Sequence, residues 1–409
     1  MSTNIPGDGW TGFARLNPNI GDLYERIRTV LTSADFRELE KRALLARRRR
    51  DEIADPELSC TIDPSFFTNG SENVVLKVCF SDHVNWVARI YHKFMDDEAA
   101  QRYTVSMISE IATIKKVREC TTIPAPDVFA YDTDPSNLVG YPYMLMELLD
   151  GRALERSVAI SVPPEHLPKV ARQLADVLYQ LQTITSKSLG QLWYRKDGDE
   201  PVSCVLQRPV DASSLEWFQF QRQENNRQAM QTNPQDPEWT TACWVLKNAV
   251  THFIVEDRIK GPFPLCHLDL HYGNLLFDAD YNLTGVIDWS RAQMVPFERS
   301  AISPEFVTAP AAPEERNNKI LTLRSLVREH LQHLEEAESS SSDDGSSDGS
   351  PKTRLSEFFG TKKADMVYRC TYSFPYRALY DGRMVAELIY GGVVSWGQLV
   401  RVYGGQEIV

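Results

Sequence analysis

The sequence predicts an α+β chain in two unequal lobes, a small antiparallel sheet with one helix followed by a larger, mainly helical part. Three observations lead there. Short apolar strands bounded by turn residues crowd residues 62–150, and a 3.6-residue apolar period dominates beyond 150. A polar run, "HLDLHYGNLLFD" (267–278) with "IDWS" (287–290), then sits on a brief strand pattern among helices. The expected organisation is an N-terminal helical extension (1–61), an N-lobe (62–150) and a C-lobe (151–409) carrying the loop 267–290.

The elements follow in chain order. Residues 22–50 read as helical, with Leu23, Ile27, Val30 and Leu31 on one stripe and the basic run "KRALLARRRR" (41–50) at the end. That run reads first as solvated helix charge and second as a nuclear-localisation signal. "NVVLKVCF" (73–80) and "NWVARIYH" (85–92), joined by "SDHV", form an antiparallel hairpin. A helix over 96–119 and the apolar strand "YPYMLMELL" (141–149) complete the small lobe. After "DGRAL" (150–154), Val170, Leu174, Val177, Leu178 and Leu181 share one helix face, and further helices are expected near 238–258 and 383–402. Residues 335–353 are acidic and serine-rich, with too little apolar surface to offset their ordering entropy, so a disordered insertion is expected.

Composition narrows the function. Of 409 residues, 44 are Lys or Arg and 56 Asp or Glu, a net charge of −12, which argues against nucleic-acid binding driven by charge. The seven cysteines are scattered and never in C-x-x-C spacing, which argues against a disulfide framework or a zinc site. No signal-peptide pattern opens the sequence and no run of membrane-spanning length interrupts it, so a cytoplasmic protein acting on small molecules is expected.

The chemistry concentrates in 267–290. His267, Asp269 and His271 alternate as zinc ligands on a strand would, but no further histidine-rich motif completes a hydrolase site. The other spacing is more informative: Asn274 follows Asp269 by five residues and Asp288 follows Asn274 by fourteen, the second Asp closing an apolar strand. Phosphoryl-transfer loops use this order, with one aspartate taking the acceptor hydroxyl proton while an asparagine and a second aspartate hold Mg²⁺. Magnesium is a hard cation and takes such oxygen donors.

"HLDLHYGNLLFD…LTGVIDWSRA" resembles the H-G-D-L-H-x-x-N…I-D-W signature of the aminoglycoside phosphotransferase family, relatives of choline kinases with a bilobal, protein-kinase-like fold. The resemblance runs from about residue 64 to 310 and is strongest to the fungal branch, whose members mostly lack an assigned substrate. It implies ATP and Mg²⁺ as cofactors and a small-molecule hydroxyl as acceptor, with a catalytically weak nucleotide- or partner-binding protein as the alternative. Asp269 matches the catalytic base, Asn274 and Asp288 the metal ligands, His267 the histidine bracing the loop, and His271 the family's second histidine. Leu268 stands where glycine is usual and Tyr272 where proline is common. "TNGSEN" (68–73) lies where a short loop covers the phosphates, making Gly70, Ser71 and Asn73 candidates, though a plain turn explains them too. Arg89 takes the place of the phosphate-pairing lysine, with Lys77 as rival, and Glu110 matches its acidic partner, with Glu98 as rival. Backbone groups of Glu147 and Leu148 match the adenine-binding hinge. In "SLEWFQFQRQENN" (214–226), Trp217, Phe218, Phe220 and Glu224 suit either a cationic acceptor or helix packing.

Overall fold

The computed structural model describes residues 10–19, 21–92, 97–194, 201–203, 213–309, 311–341, 352–371 and 374–408. The chain divides into two compact units, Met1–Leu154 with Trp193–Pro201 and Gly273–Ser290, and Glu155–Leu192 with Val202–Tyr272 and Arg291–Val409.

The first unit is built on a five-stranded antiparallel sheet of order β1-β2-β3-β5-β4. The strands are β1 (Cys60–Asn69), β2 (Asn73–Phe80), β3 (Asn85–Tyr91), β4 (Val128–Asp132) and β5 (Tyr143–Glu147). Period-2 alternation decides what each face carries. Val74, Leu76, Val78, Trp86, Ala88 and Ile90 are buried on one face. Arg89 pairs with Val75 and Met144 across the ladder, so it points to the other face together with Lys77. The helix α3 (Asp97–Cys120) also belongs to this unit.

The extension is not a separate piece. Its helices α1 (Leu23–Ser33) and α2 (Phe36–Arg50) bury Ile27, Val30, Leu39 and Ala43 completely, in the same apolar cluster as the β2 and β3 residues. The two helices part at Asp35, which caps α2 by accepting from the Glu38 amide and donates its own amide to Val139 O at 3.1 Å. The basic run is largely consumed within the unit. Arg47 pairs with Asp51 and Asp82, Arg48 donates to the carbonyls of Asp55, Pro56 and Leu58, and Arg50 lies 4.2 Å above the Phe129 ring.

The loop 267–290 was expected wholly in the C-lobe, but Gly273–Ser290 belongs to the first unit. Long-range pairing is the reason: the hairpin Leu275–Phe277/Leu283–Val286 adds Arg152–Ala153 as a third strand, and Val286 N donates to Pro124 O at 2.8 Å. Gly151 permits this approach. It has φ +102°, and a Cβ there would stand 2.9 Å from Phe277 O and against Thr284 Oγ1.

In the second unit the helix Leu167–Thr183 buries the whole predicted stripe from Val170 to Leu181. The helix Pro237–Phe253 lies among Ser214–Thr232, Lys362–Thr371, Ala378–Tyr390 and Trp396–Tyr403. Expected as one helix, 383–402 is split because Gly391 takes a left-handed φ of 56° and ends the first segment. Trp217 and Phe218 are buried packing residues, which removes them as acceptor contacts, whereas Phe220 is exposed.

The expected disorder of 335–353 is corrected at both ends. The helix Glu314–Ser341 continues through Glu335, which is buried and accepts from the amide and hydroxyl of Ser356, while Thr353 bonds Asp257. Polar anchoring, invisible in composition, orders these ends; residues 342–351 lie outside the described residues. Among the described residues no helix is long and apolar enough to cross a membrane.

Because α2 shares the core of the sheet, Leu39→Ala is expected to destabilise the first unit by about 2–5 kcal/mol. Denaturant unfolding followed by tryptophan fluorescence measures this, and an unchanged midpoint would mean that the helix pair is merely appended.

Candidate active site

Arg89 and Glu110 are brought together by the two periods of their elements, the strand alternation of β3 and the helical face of α3. Arg89 Nη1 donates to Glu110 Oε1 at 2.6 Å, and Nη2 lies 4.0 Å from Asp288 Oδ1. Both members of the pair are nearly inaccessible, with side-chain exposures of 15% and 4%. Burial works against the guanidinium charge, yet Glu110 and Asp288 more than offset it and hold Arg89 above its ordinary pKa. Burial pushes the Glu110 carboxyl up, against the pull of Arg89 and of a hydrogen bond from the Trp289 backbone. Of the two cations on this face it is Arg89, not Lys77, that meets Glu110 among the described residues. The rival Glu98 has a side chain outside the described residues.

The hairpin 275–286 sets the candidate metal ligands at one end. Ile287 N donates to Asn274 O at 3.0 Å, which draws the backbones on either side of the hairpin together just before Asp288. Asp288 has φ 62°, a left-handed conformation uncommon for residues other than glycine, and Oδ1 accepts from Ser290 Oγ at 2.7 Å. Trp289, fully buried, locks the turn by donating Nε1–H to Val286 O at 2.9 Å. Ser290 O in turn accepts from Ser106 Oγ of α3 at 3.3 Å. The side chain of Asn274 is buried and that of Asp288 is 44% exposed. An amide oxygen and a partly exposed carboxylate are both donors of the kind Mg²⁺ takes. Among the described residues no group of three or more His, Cys, Asp or Glu comes together as a metal cluster.

"TNGSEN" forms the turn between β1 and β2, closed by Gly70 N donating to Asn73 O at 2.9 Å. Nothing lies within 4 Å of where a Gly70 Cβ would stand, so the fold itself makes no demand for glycine there. Ser71 is exposed, and Asn73 accepts from Tyr103 Oη of α3 at 3.1 Å. His92, missed in the sequence, supports the turn from below: its amide donates to Glu72 O at 3.0 Å, and Nε2 lies 3.5 Å from Gly70 O. Arg26 Nη1 approaches His92 Nδ1 at 3.4 Å, so the neutral ring with its proton on Nε2 satisfies both neighbours.

Glu147 corrects part of the hinge expectation. Its amide already donates to Asp127 O at 2.8 Å, and its carboxylate accepts from Asp127 N and Arg118. The Glu147 amide is therefore engaged, so the expectation passes to its carbonyl and the backbone of Leu148.

The second unit carries the remaining residues. His267 is buried at the end of the strand Phe263–Cys266. Leu268 follows with φ 61°, which explains why glycine is usual at this position: the loop needs a left-handed turn, and a side chain there costs about 1–2 kcal/mol. Asp269 and His271 are partly exposed, with Oδ2 and Nε2 3.8 Å apart, beyond a direct hydrogen bond. Two residues not foreseen in the sequence hold the loop: Ser303 Oγ donates to Leu270 O at 2.6 Å, and Glu305 Oε1 accepts from Tyr272 N at 2.9 Å. Burial lifts the Glu305 carboxyl above its ordinary value, and the amides of Tyr272 and Val158 pull it back. A buried acid 33 residues after the amide it holds leaves no periodic signal, so only the folded chain reveals it.

The buried Arg89–Glu110 pair near Asp288 is the kind of cation–acid arrangement that phosphoryl-transfer enzymes use. Residues 65–298, more than half of the chain, match the model of the phosphotransferase enzyme family, and the chain belongs to that family. Among curated proteins it is 26% identical over 181 residues to a protein described as an acyl-CoA dehydrogenase of Arabidopsis thaliana, covering 44% of this chain and 20% of that one. It is 33% identical over 91 residues to a subtelomeric hrmA-associated cluster protein of Aspergillus fumigatus, covering 22% and 18%. The matched segments thus span about a fifth of these much longer relatives. Among solved structures, a macrolide 2′-phosphotransferase of Brachybacterium faecium is similar at TM-score 0.45 and 13% identity, covering 89% of this chain and 98% of that one. An ethanolamine kinase of Plasmodium vivax is similar at TM-score 0.43 and 13% identity, covering 88% and 85%. Family membership rests on the family model alone.

The turn support carries a pH signature. Burial depresses His92 to about 4 from an ordinary 6.5, so between those values the unfolded chain binds a proton that the folded one refuses. Stability is then full above pH 6.5 and falls as the pH drops toward 4, by up to about 3 kcal/mol. His92→Gln keeps a donor for Gly70 O without that titration. Thermal unfolding of both proteins from pH 7 to 4.5 is expected to shift in favour of the variant as acid is added, and parallel curves would refute the buried neutral histidine.

Proposed function

We propose that this chain is an ATP-dependent phosphotransferase that moves the γ-phosphate to a hydroxyl group of a small molecule. The observation that carries the reading is the Arg89–Glu110 pair reaching Asp288 within one unit, since structural ion pairs have no reason to recruit a partly exposed aspartate at a left-handed turn. In this reading Arg89 steadies the α and β phosphates, and a guanidinium can grip two phosphate oxygens at once where lysine offers a point charge. Gly70, Ser71 and Asn73 cover the phosphates from the β1–β2 turn, and the carbonyl of Glu147 with the backbone of Leu148 meets the adenine edge.

Asn274 and Asp288 hold Mg²⁺, which, when bound, neutralises charge on the phosphate oxygens. Asp269 accepts the proton of the attacking hydroxyl, His267 braces its loop, and His271 stands beside it. Catalysis is then mostly positioning and charge stabilisation.

A second reading, nucleotide binding without turnover, is favoured by one feature: Arg89 replaces the usual lysine. The two separate cleanly. Removing a general base typically costs 10²–10⁴-fold, so Asp269→Ala is expected to lower Mg-ATP turnover at least about 100-fold while its melting temperature stays near that of wild type. Unchanged turnover in that variant would remove Asp269 from the mechanism, and a wild type that binds Mg-ATP without turning it over under any acceptor would leave the second reading.

A further inference from the structure

The segment Ser303-Pro304-Glu305 lies outside every motif, yet its buried polar atoms converge on one short piece of chain. Ser303 and Glu305 are each 3% exposed. Ser303 Oγ donates to Leu270 O at 2.6 Å, and Glu305 Oε1 accepts from Tyr272 N at 2.9 Å, so the peptide groups on both sides of His271 are tied. The segment is itself braced, because Glu305 N donates to Ser303 Oγ at 3.2 Å and Glu305 Oε2 accepts from Val158 N at 2.6 Å. With Leu268 in its left-handed turn, three consecutive constraints fall on 268–272, and Asp269 sits between the first and the second.

We propose that Ser303 and Glu305 are positioning residues that hold the backbone of 268–272 in the one arrangement that presents Asp269 for proton acceptance. This rests on the phosphotransferase reading above. Only a carboxylate suits position 305, because two buried amides need two acceptor oxygens. Glutamine supplies one, and turns an NH₂ group toward the other donor.

The test uses the full chain with Glu305→Gln, Ser303→Ala and Ser303→Thr. The threonine keeps the hydroxyl, and Ser303 borders a small cavity lined by Leu268, Leu270 and Ile302. Three quantities are read: amide exchange of peptides spanning 268–273 without ligand, kcat and KM for Mg-ATP turnover, and thermal unfolding. For Glu305→Gln and Ser303→Ala we expect exchange at least about tenfold faster and kcat about 10- to 100-fold lower, with KM for Mg-ATP within about twofold of wild type. Ser303→Thr is expected to restore both exchange and kcat.

Unchanged exchange and kcat in Glu305→Gln overturns the proposal. So does a kcat loss that only tracks the unfolded fraction at the assay temperature, since that is what a merely structural role gives. If wild type turns over no Mg-ATP, the phosphotransferase reading fails, and the exchange measurement alone then decides whether the segment holds the loop.

Discussion

The candidate site in the first unit depends on one buried ion pair. Taking a guanidinium and a carboxylate out of water costs several kcal/mol for each ion, and only close geometry with further hydrogen bonds offsets that. Arg89 and Glu110 meet at 2.6 Å, the Trp289 backbone donates to Glu110, and the partly exposed Asp288 supplies a second negative charge 4.0 Å from Arg89. The pair therefore ties three elements together: β3, α3 and the end of the hairpin that carries Asp288. A pair serving stability alone would be complete with Glu110, and an apolar replacement of similar volume would often do as well.

Backbone strain marks the same chemistry. Among the described residues only six other than glycine take positive φ, and two of them are Leu268 and Asp288, next to or at the proposed reactive groups. Each is held by neighbours that leave little choice: Leu268 between buried His267 and the Ser303 tie at Leu270, Asp288 between the Ile287–Asn274 hydrogen bond and buried Trp289. Strain of this kind persists where surrounding contacts over-determine the backbone.

Local periodicity made much of the fold legible. β2 begins and ends where its alternation does, the helix Leu167–Thr183 buries the stripe read from its sequence, and Arg89 meets Glu110 twenty-one residues away. What escaped was decided by distant partners. β1 carries Asp63 and Pro64 and breaks register between Ile62 and Phe67, which blurs its alternation. The extension joins the core through residues that a lone amphipathic helix would show equally well. The assignment of 273–290 to the first unit follows from pairing with Arg152–Ala153, over a hundred residues earlier in the chain. Ser303, Glu305 and His92 act through isolated polar contacts with backbone groups, and such contacts leave no pattern in a sequence.

Calorimetric titration of Mg-ATP onto the wild-type protein and onto Arg89→Met/Glu110→Gln addresses the central claim most directly. The double variant removes the charge pair without stranding either partner, so the sheet and helix keep their packing. The account predicts a folded variant whose Mg-ATP affinity is at least about tenfold weaker, a loss of about 1.4 kcal/mol or more. Equal affinity in the two proteins would contradict it and reduce the buried pair to a structural feature.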